Sequence, residues 1–412
     1  MVRIIVSSIG SFIRGLFNRE NYTLHNLVLF VVVLMCIQYL PLEGVGISAV
    51  KVLVMSVMPF VLLTHLRINK ALMLGGGYIL WLYITAAIIH PATFRSSTFL
   101  YSIMFVVTFV VVYSAVWDYR VLKLNGFLRF LRILFYVLIG FLLAQQLCIV
   151  VGIRYMPAIN LCYYLDRGIG TNSLSLEPSH LGRLLAVMYY AILKCTEYRR
   201  GEKVKISEIF DGDLKWVSIF YLWAVLTMGS GTAFVAAGIT SLYFMRGRHL
   251  FLAIPIFIGT YFALEHFGNE SFARAQRASV ATMTGDVDNV READGSAAVR
   301  IAPILNTLNA DFSDVDFWIG KGTDSTSWLD LAYGRGYIGH INDYGLISYI
   351  FELLIVFSCC INLRSLATLY FICGVGGGIG NVAYGWGILM IFCCLKYFNH
   401  YRYSDYEYYG SK

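Results

Sequence analysis

The sequence predicts an all-α polytopic integral membrane protein with about twelve transmembrane helices, or eleven if one Gly-rich stretch is a kink, and two large outer loops. Three observations carry this. The 412 residues are 58% hydrophobic and only 14% charged, against about 25% charged for soluble chains. The charges fall in clumps separated by long uncharged stretches. Apolar runs of about 20 residues, enough to cross a ~30 Å hydrocarbon core at 1.5 Å per residue, recur along nearly the whole chain. A soluble enzyme, a disulfide-stapled secreted domain and a nucleic-acid binder with its net charge of +7 as footprint are all excluded by this pattern.

Apolar runs bounded by charge place spans at 24–42, 45–64, 71–90, 97–117 and 127–151. Seven more fall at 178–195, 214–229, 231–246, 249–267, 338–361, 364–379 and 382–398, with the Gly-rich 374–380 either a turn or a kink. The chain thus divides into helices within 1–151, a first outer loop at 152–177, helices within 178–267, a large outer loop at 268–337, and C-terminal helices with a tail at 338–412. Lys and Arg are retained on the cytoplasmic side. With the N-terminus inside, 21 of the 32 basic residues fall in inner segments, and both termini are expected there. Residues 1–26 carry Arg3, Arg14, Arg19 and Glu20 and no clean apolar core before a small-residue cleavage site, so a retained first anchor is expected. Of nine cysteines only Cys162 lies in an outer loop. No intraloop disulfide, metal-ligand spacing, metal or cofactor is expected.

Lys51, Glu265 and Glu352 are the charges set within spans. Lys51 and Glu265 lie near outer ends and are expected to snorkel to water. Glu352 lies deeper, where an interhelix contact and a transport role are both open. The Gly75-Gly76-Gly77 and 374–380 runs follow no strand and sit in apolar spans, where small residues let helices approach closely.

The polar chemistry concentrates in the two outer loops, read as folded lids over a cavity; for the second, a mobile spacer is the other reading. The first loop ends in Glu177-Pro178-Ser179-His180. Proline suits the first helical position, so a helix start at the outer face is expected there. Glu177, His180 and Arg183 recur every three residues on one face, where a carboxylate, an imidazole and a guanidinium could supply a base and an anion clamp. The other reading is a capping glutamate with interfacial polar neighbours. In the second loop, six basic residues stand among ten acidic ones. Arg300 sits in an amphipathic stretch with Ile301, Ile304, Leu305 and Leu308 at helical spacing, able to offer a guanidinium fork to a lipid phosphate. Arg335, His340, Asn342 and Asp343 then gather at the outer mouth of the next span.

Four segments give the chain a family likeness: RGIGTNSLSLEP from Arg167 to Pro178, LTMGSGT from Leu226 to Thr232, Val299-Arg300-Ile301 with the IGKG turn at 319–322, and INDYGL from Ile341 to Leu346. Together they resemble the Wzy-type polysaccharide polymerases, which extend O-antigen, capsule or exopolysaccharide chains at the periplasmic face of the bacterial inner membrane, and the colanic-acid-like branch in particular. The likeness spans roughly 160–355; the first 150 residues match only in hydropathy.

The resemblance implies a fold related to the C-type glycosyltransferases, N and C termini in the cytoplasm and two large periplasmic loops. It implies a metal-independent glycosyltransferase that moves a growing glycan from undecaprenyl pyrophosphate to the non-reducing end of a lipid-linked repeat unit. Donor and acceptor are then undecaprenyl-pyrophosphate-linked oligosaccharides in the lipid bilayer, a chain-length regulator and a flippase are admitted as further partners, and no nucleic acid is involved. Pyrophosphate is a good leaving group, so cations that neutralise its charge suffice. By the likeness, Arg167 and Arg300 hold pyrophosphate, Glu177 is the first candidate for the base and Asp343 the second. His180, Arg183 and Arg335 join the pyrophosphate-binding candidates by position. His340 joins the catalytic candidates because the related O-antigen ligases carry a functional histidine near there, although the spacing here is HxN and not HN. Two alternatives stay open: an O-antigen ligase, which differs mainly in its acceptor, and a polysaccharide or lipid-linked oligosaccharide transporter (flippase), which should show midplane charges, broken helices and an internal repeat.

Overall fold

The computed structural model describes residues 22–40, 48–64, 67–161, 170–245, 295–323, 336–372 and 383–401, with a few single positions between 277 and 325. Regular structure among them is helical, apart from isolated bridge residues: Leu40, and Met156 paired with Leu161. The first five helices are α1 (Tyr22–Cys36), α2 (Ala49–Thr64), α3 (Lys70–Tyr83, continued by a π-helical stretch Ile84–Ile89), α4 (Ser96–Trp117) and α5 (Leu124–Val150). After the first loop come α6 (Pro178–Arg200), α7 (Lys215–Thr227) and α8 (Gly231–Leu242). The second loop contributes α9 (Gly295–Leu308) and α10 (Val315–Ile319). The last group is α11 (Ile341–Ile355, continued by a π-helical Val356–Cys360), α12 (Leu366–Tyr370) and α13 (Ala383–His400).

Among the described residues, four helices are long and apolar enough to cross a membrane: Lys70–Ile89, Ser96–Trp117, Leu124–Val150 and Ile341–Cys360. Helices also occupy most of the other expected positions, as secondary structure and not as shown membrane spans, with α12 only five residues long where a span at 364–379 was expected. The exceptions are informative. The stretch expected to be helical to residue 42 ends at Cys36, and residues 37–40 run on as irregular chain. The α7 and α8 helices are only 13 and 12 residues, about 20 Å each at 1.5 Å per residue. The expected span at 249–267 and the Gly-rich 374–380 lie outside the described residues.

Helices α6 and α13 form the centre, buried on nearly every face. Around α6 pack α5, α7, α8 and α13; around α13 pack α1, α4 and the π-helical end of α11. Lipid is as apolar as leucine, so close fit and polar contacts, more than hydrophobicity, hold such helices together. A β-carbon on Gly182 would lie 2.7 Å from that of Ala233, one on Gly75 2.7 Å from a Val106 methyl, and one on Gly77 2.8 Å from the Phe351 ring. Gly75 and Gly77 of α3 are therefore contact points toward α4 and α11, while Gly76 between them faces open space. The buried carboxylate of Glu352 accepts from Tyr78 Oη at 2.9 Å, joining α11 to α3, so an interhelix contact is its observed role. Lys51, expected to snorkel, is instead buried and donates to the Ile37 carbonyl, closing the end of α1.

The bundle has two distinct ends. At the one expected inside, Asn69 caps α3 through the Leu72 N–H (2.9 Å) and donates to Ser114 and Asp118 of the neighbouring helix end. Lys396 of α13 donates to the carbonyls of Phe357, Ser358 and Ile361, the open end of the π-helical turn. The opposite end carries the starts of α6, α11 and α13.

Candidate functional site

At the end expected outside, the described parts of the first loop fold around one amide. Buried backbone polar groups need partners, and a glutamine offers both donor and acceptor. Fully buried Gln145 of α5 donates to the carbonyls of Ile159 (2.8 Å) and Asn160 (3.1 Å) and accepts from the N–H groups of Asn172 (3.1 Å) and Ser173 (2.8 Å). Asn160 takes the left-handed conformation (φ 60°) and donates to the carbonyls of Ser173 (2.6 Å) and Ser175 (2.8 Å). The N–H groups of Gln38 and Tyr39 both reach the Leu174 carbonyl, and Tyr39 Oη donates to Pro157. Residues 156–161 and 170–177 are thus a stitched cap over the ends of α1 and α5.

The cap delivers the chain to α6, whose first residue is Pro178, as its missing N–H favours. Glu177 flanks the helix with extended backbone, and its carboxylate accepts from Ser179 Oγ at 2.9 Å. The Leu176 N–H donates to Gln38 Oε1 at 3.1 Å, which fixes that oxygen as an acceptor. His180 Nδ1, 3.0 Å from the same oxygen, therefore carries the hydrogen it donates. The other ring nitrogen, Nε2, faces the Glu177 carboxylate at 3.9 Å. The ring stacks on Tyr384 of α13 at 4.6 Å, and Arg183 Nη1 donates to the Tyr384 hydroxyl at 3.1 Å. Glu177 keeps 57% of its side chain exposed. A solvent-facing carboxylate, an imidazole of fixed orientation and a guanidinium one turn further along α6 are therefore held where three helix ends meet.

A second cluster surrounds the start of α11. The Gly320-Lys321-Gly322 turn lies between the end of α3 and Asp343. Lys321 N–H donates to the Asn342 carbonyl (2.8 Å), Gly322 N–H to that of Asp343 (3.2 Å), and the Gly320 carbonyl accepts from His90 Nε2 (3.0 Å). Both glycines have positive φ, and a β-carbon on Gly322 would overlap Thr93 Oγ1. Gly345 (φ 77°) interrupts the helix so closely against Trp318 that a β-carbon there would overlap its carbonyl. His340 precedes the helix and lies 4.0 Å from Asp343, with 23% and 27% of their side chains exposed. Burial holds its imidazole below the usual histidine range, so the ring is neutral near pH 7. Helix α9 is tied to the approach: Asn306 donates to the Gly336 carbonyl and Thr307 Oγ1 accepts from Ile338 N–H.

The expected site residues therefore divide. Glu177, His180 and Arg183 are brought together, as are His340 and Asp343. Arg300 lies on α9, the expected amphipathic helix, while Arg167 and Arg335 lie outside the described residues. Gln38, Gln145, His90 and Tyr384 escaped sequence reasoning because it followed formal charge. A glutamine pair closing the apolar α5 was the readable signal; nothing local marks Tyr384. Set against known protein families, curated proteins and solved structures, the chain matches none.

Proposed function

We propose that this protein is a Wzy-type polysaccharide polymerase of the bacterial inner membrane, with eleven or twelve spans, a fold related to the C-type glycosyltransferases, cytoplasmic termini and a periplasmic active site. The observation that carries the reading is the exposed Glu177 carboxylate backed by His180 and Arg183 where the stitched segment 170–177 enters α6. In this reading Glu177 takes the proton of the acceptor hydroxyl as its oxygen attacks the anomeric carbon of the donor glycan. The bond from that carbon to the pyrophosphate oxygen breaks, and the electron pair leaves with undecaprenyl pyrophosphate. Arg183, with Arg167, Arg300 and Arg335 from the loops, neutralises the departing charge. Asp343 is the second candidate for the base, and neutral His340 is suited to orienting a sugar hydroxyl.

The test mixes purified protein with lipid-linked repeat units, without nucleotide or metal. A ladder of oligomers is expected. Glu177→Gln should slow its growth by about 10²–10⁴-fold, the usual worth of a general base, while lipid binding persists. Arg167→Ala and Arg300→Ala should abolish extension at normal protein level. Lipid movement across the membrane without any ladder would replace this reading with a flippase, and full turnover in Glu177→Gln would move the base to Asp343.

A further inference from the structure

At the opposite end of the bundle, a cavity of about 490 Å³ opens between the ends of α6, α8, α11 and α13. This is the size range of small-ligand sites. Among the described residues, its wall holds four cations, Lys194, Lys203, Arg364 and Lys396, against one carboxylate, Glu197. That carboxylate is engaged within the wall: it pairs with Lys194 at 2.8 Å and accepts from Tyr243 Oη at 2.9 Å. Lys396 spends its donors on three backbone carbonyls, which share its hydrogens without cancelling its charge. Lys203 lies over the Tyr243 ring at 5.1 Å, and Arg364 is exposed at the rim. A concave wall whose described residues carry three more positive charges than negative focuses field on its interior and favours an anion.

We propose that this cavity binds a phosphate-bearing anion, with Arg364 and Lys203 as its contacts at the mouth and Lys396 as a fixed charge at the back. The cavity lies at the end expected inside, where basic pockets between transmembrane helices meet anionic lipid head groups. A lipid phosphate and a soluble phosphate present the same oxygens, and a guanidinium fork suits either. The inference is independent of the glycan-transfer reading, because none of its residues lies at the Glu177 end.

The full-length protein in neutral detergent is titrated with phosphatidylglycerol and phosphatidylethanolamine by native mass spectrometry, and with inorganic phosphate by thermal shift. Preference for phosphatidylglycerol identifies the lipid source, and stabilisation by inorganic phosphate the soluble one. In either case the pair Lys203→Gln and Arg364→Gln should weaken binding by about tenfold or more, with unchanged melting of the ligand-free protein. Arg364→Lys, which keeps the charge but not the fork, should bind more tightly than Arg364→Gln and less tightly than wild type, and Glu177→Gln should leave this binding untouched whatever it does to glycan transfer. Wild-type protein that neither prefers phosphatidylglycerol nor responds to phosphate overturns the proposal. So does a double variant that binds as tightly as wild type.

Discussion

Gln145 shows how much one uncharged residue can organise. With four backbone partners, its loss strands donors and acceptors that the cap cannot otherwise pair. Gln145→Ala is expected to cost on the order of 3 kcal/mol, read as lowered melting and rapid protease cleavage between 152 and 177; unchanged protection there would show the cap holds by other contacts. At the second cluster, His340 predicts a pH dependence. Its folded pKa lies below the unfolded value near 6.5, so on acidification the unfolded chain binds a proton that the folded chain refuses. Stability should therefore be unaffected by this group above about pH 6.5 and fall as pH drops below it. A melting series should show this slope in wild type and a shallower one in His340→Gln. The Glu177-His180-Arg183 spacing was legible from sequence, since three-residue recurrence on a helix puts side chains on one face. Their partners were not: Gln38 and Tyr384 lie 142 and 201 positions from His180 and Arg183, and no local pattern encodes such meetings.

Among elements, helix ends carry the information. Lysines close α1 and α11 by donating to their terminal carbonyls, which explains why Lys51 is buried where its charge suggested contact with water. The start of α11 is held by fit, with Gly320 and Gly322 on one side and Gly345 pressed against the Trp318 carbonyl. Gly345→Ala combines positive-φ strain with overlap and should cost about 2–3 kcal/mol. It should also release α10 from α11, seen as faster hydrogen exchange across 315–322; wild-type exchange would mean the contact is looser than its geometry. Hydropathy located most helices because a lipid-crossing helix needs an uninterrupted apolar run. It overran the C-terminal ends of α1, α7 and α8 because apolar composition alone does not stop a helix.

At the largest scale, the polar clusters among the described residues gather at two ends of a packed helical bundle, with the Tyr78–Glu352 contact between them. Which helices stand at the centre was not legible. The central α6 carries Glu197, Lys194, Arg199 and Arg200 and is not among the most apolar helices. Its burial follows from neighbours supplied by distant parts of the chain.

In the proposed membrane topology the shortness of α7 and α8 bears on the bilayer around them. Helices about 20 Å long, in one bundle with an α5 of about 40 Å, would not share a uniform hydrocarbon thickness near 30 Å. Lipids along their flank would compress, or head groups would dip toward Met228–Ser230. The protein should then melt at a higher temperature in bilayers of shorter acyl chains than in those of longer ones. An opposite ranking would mean that this flank is not in contact with lipid.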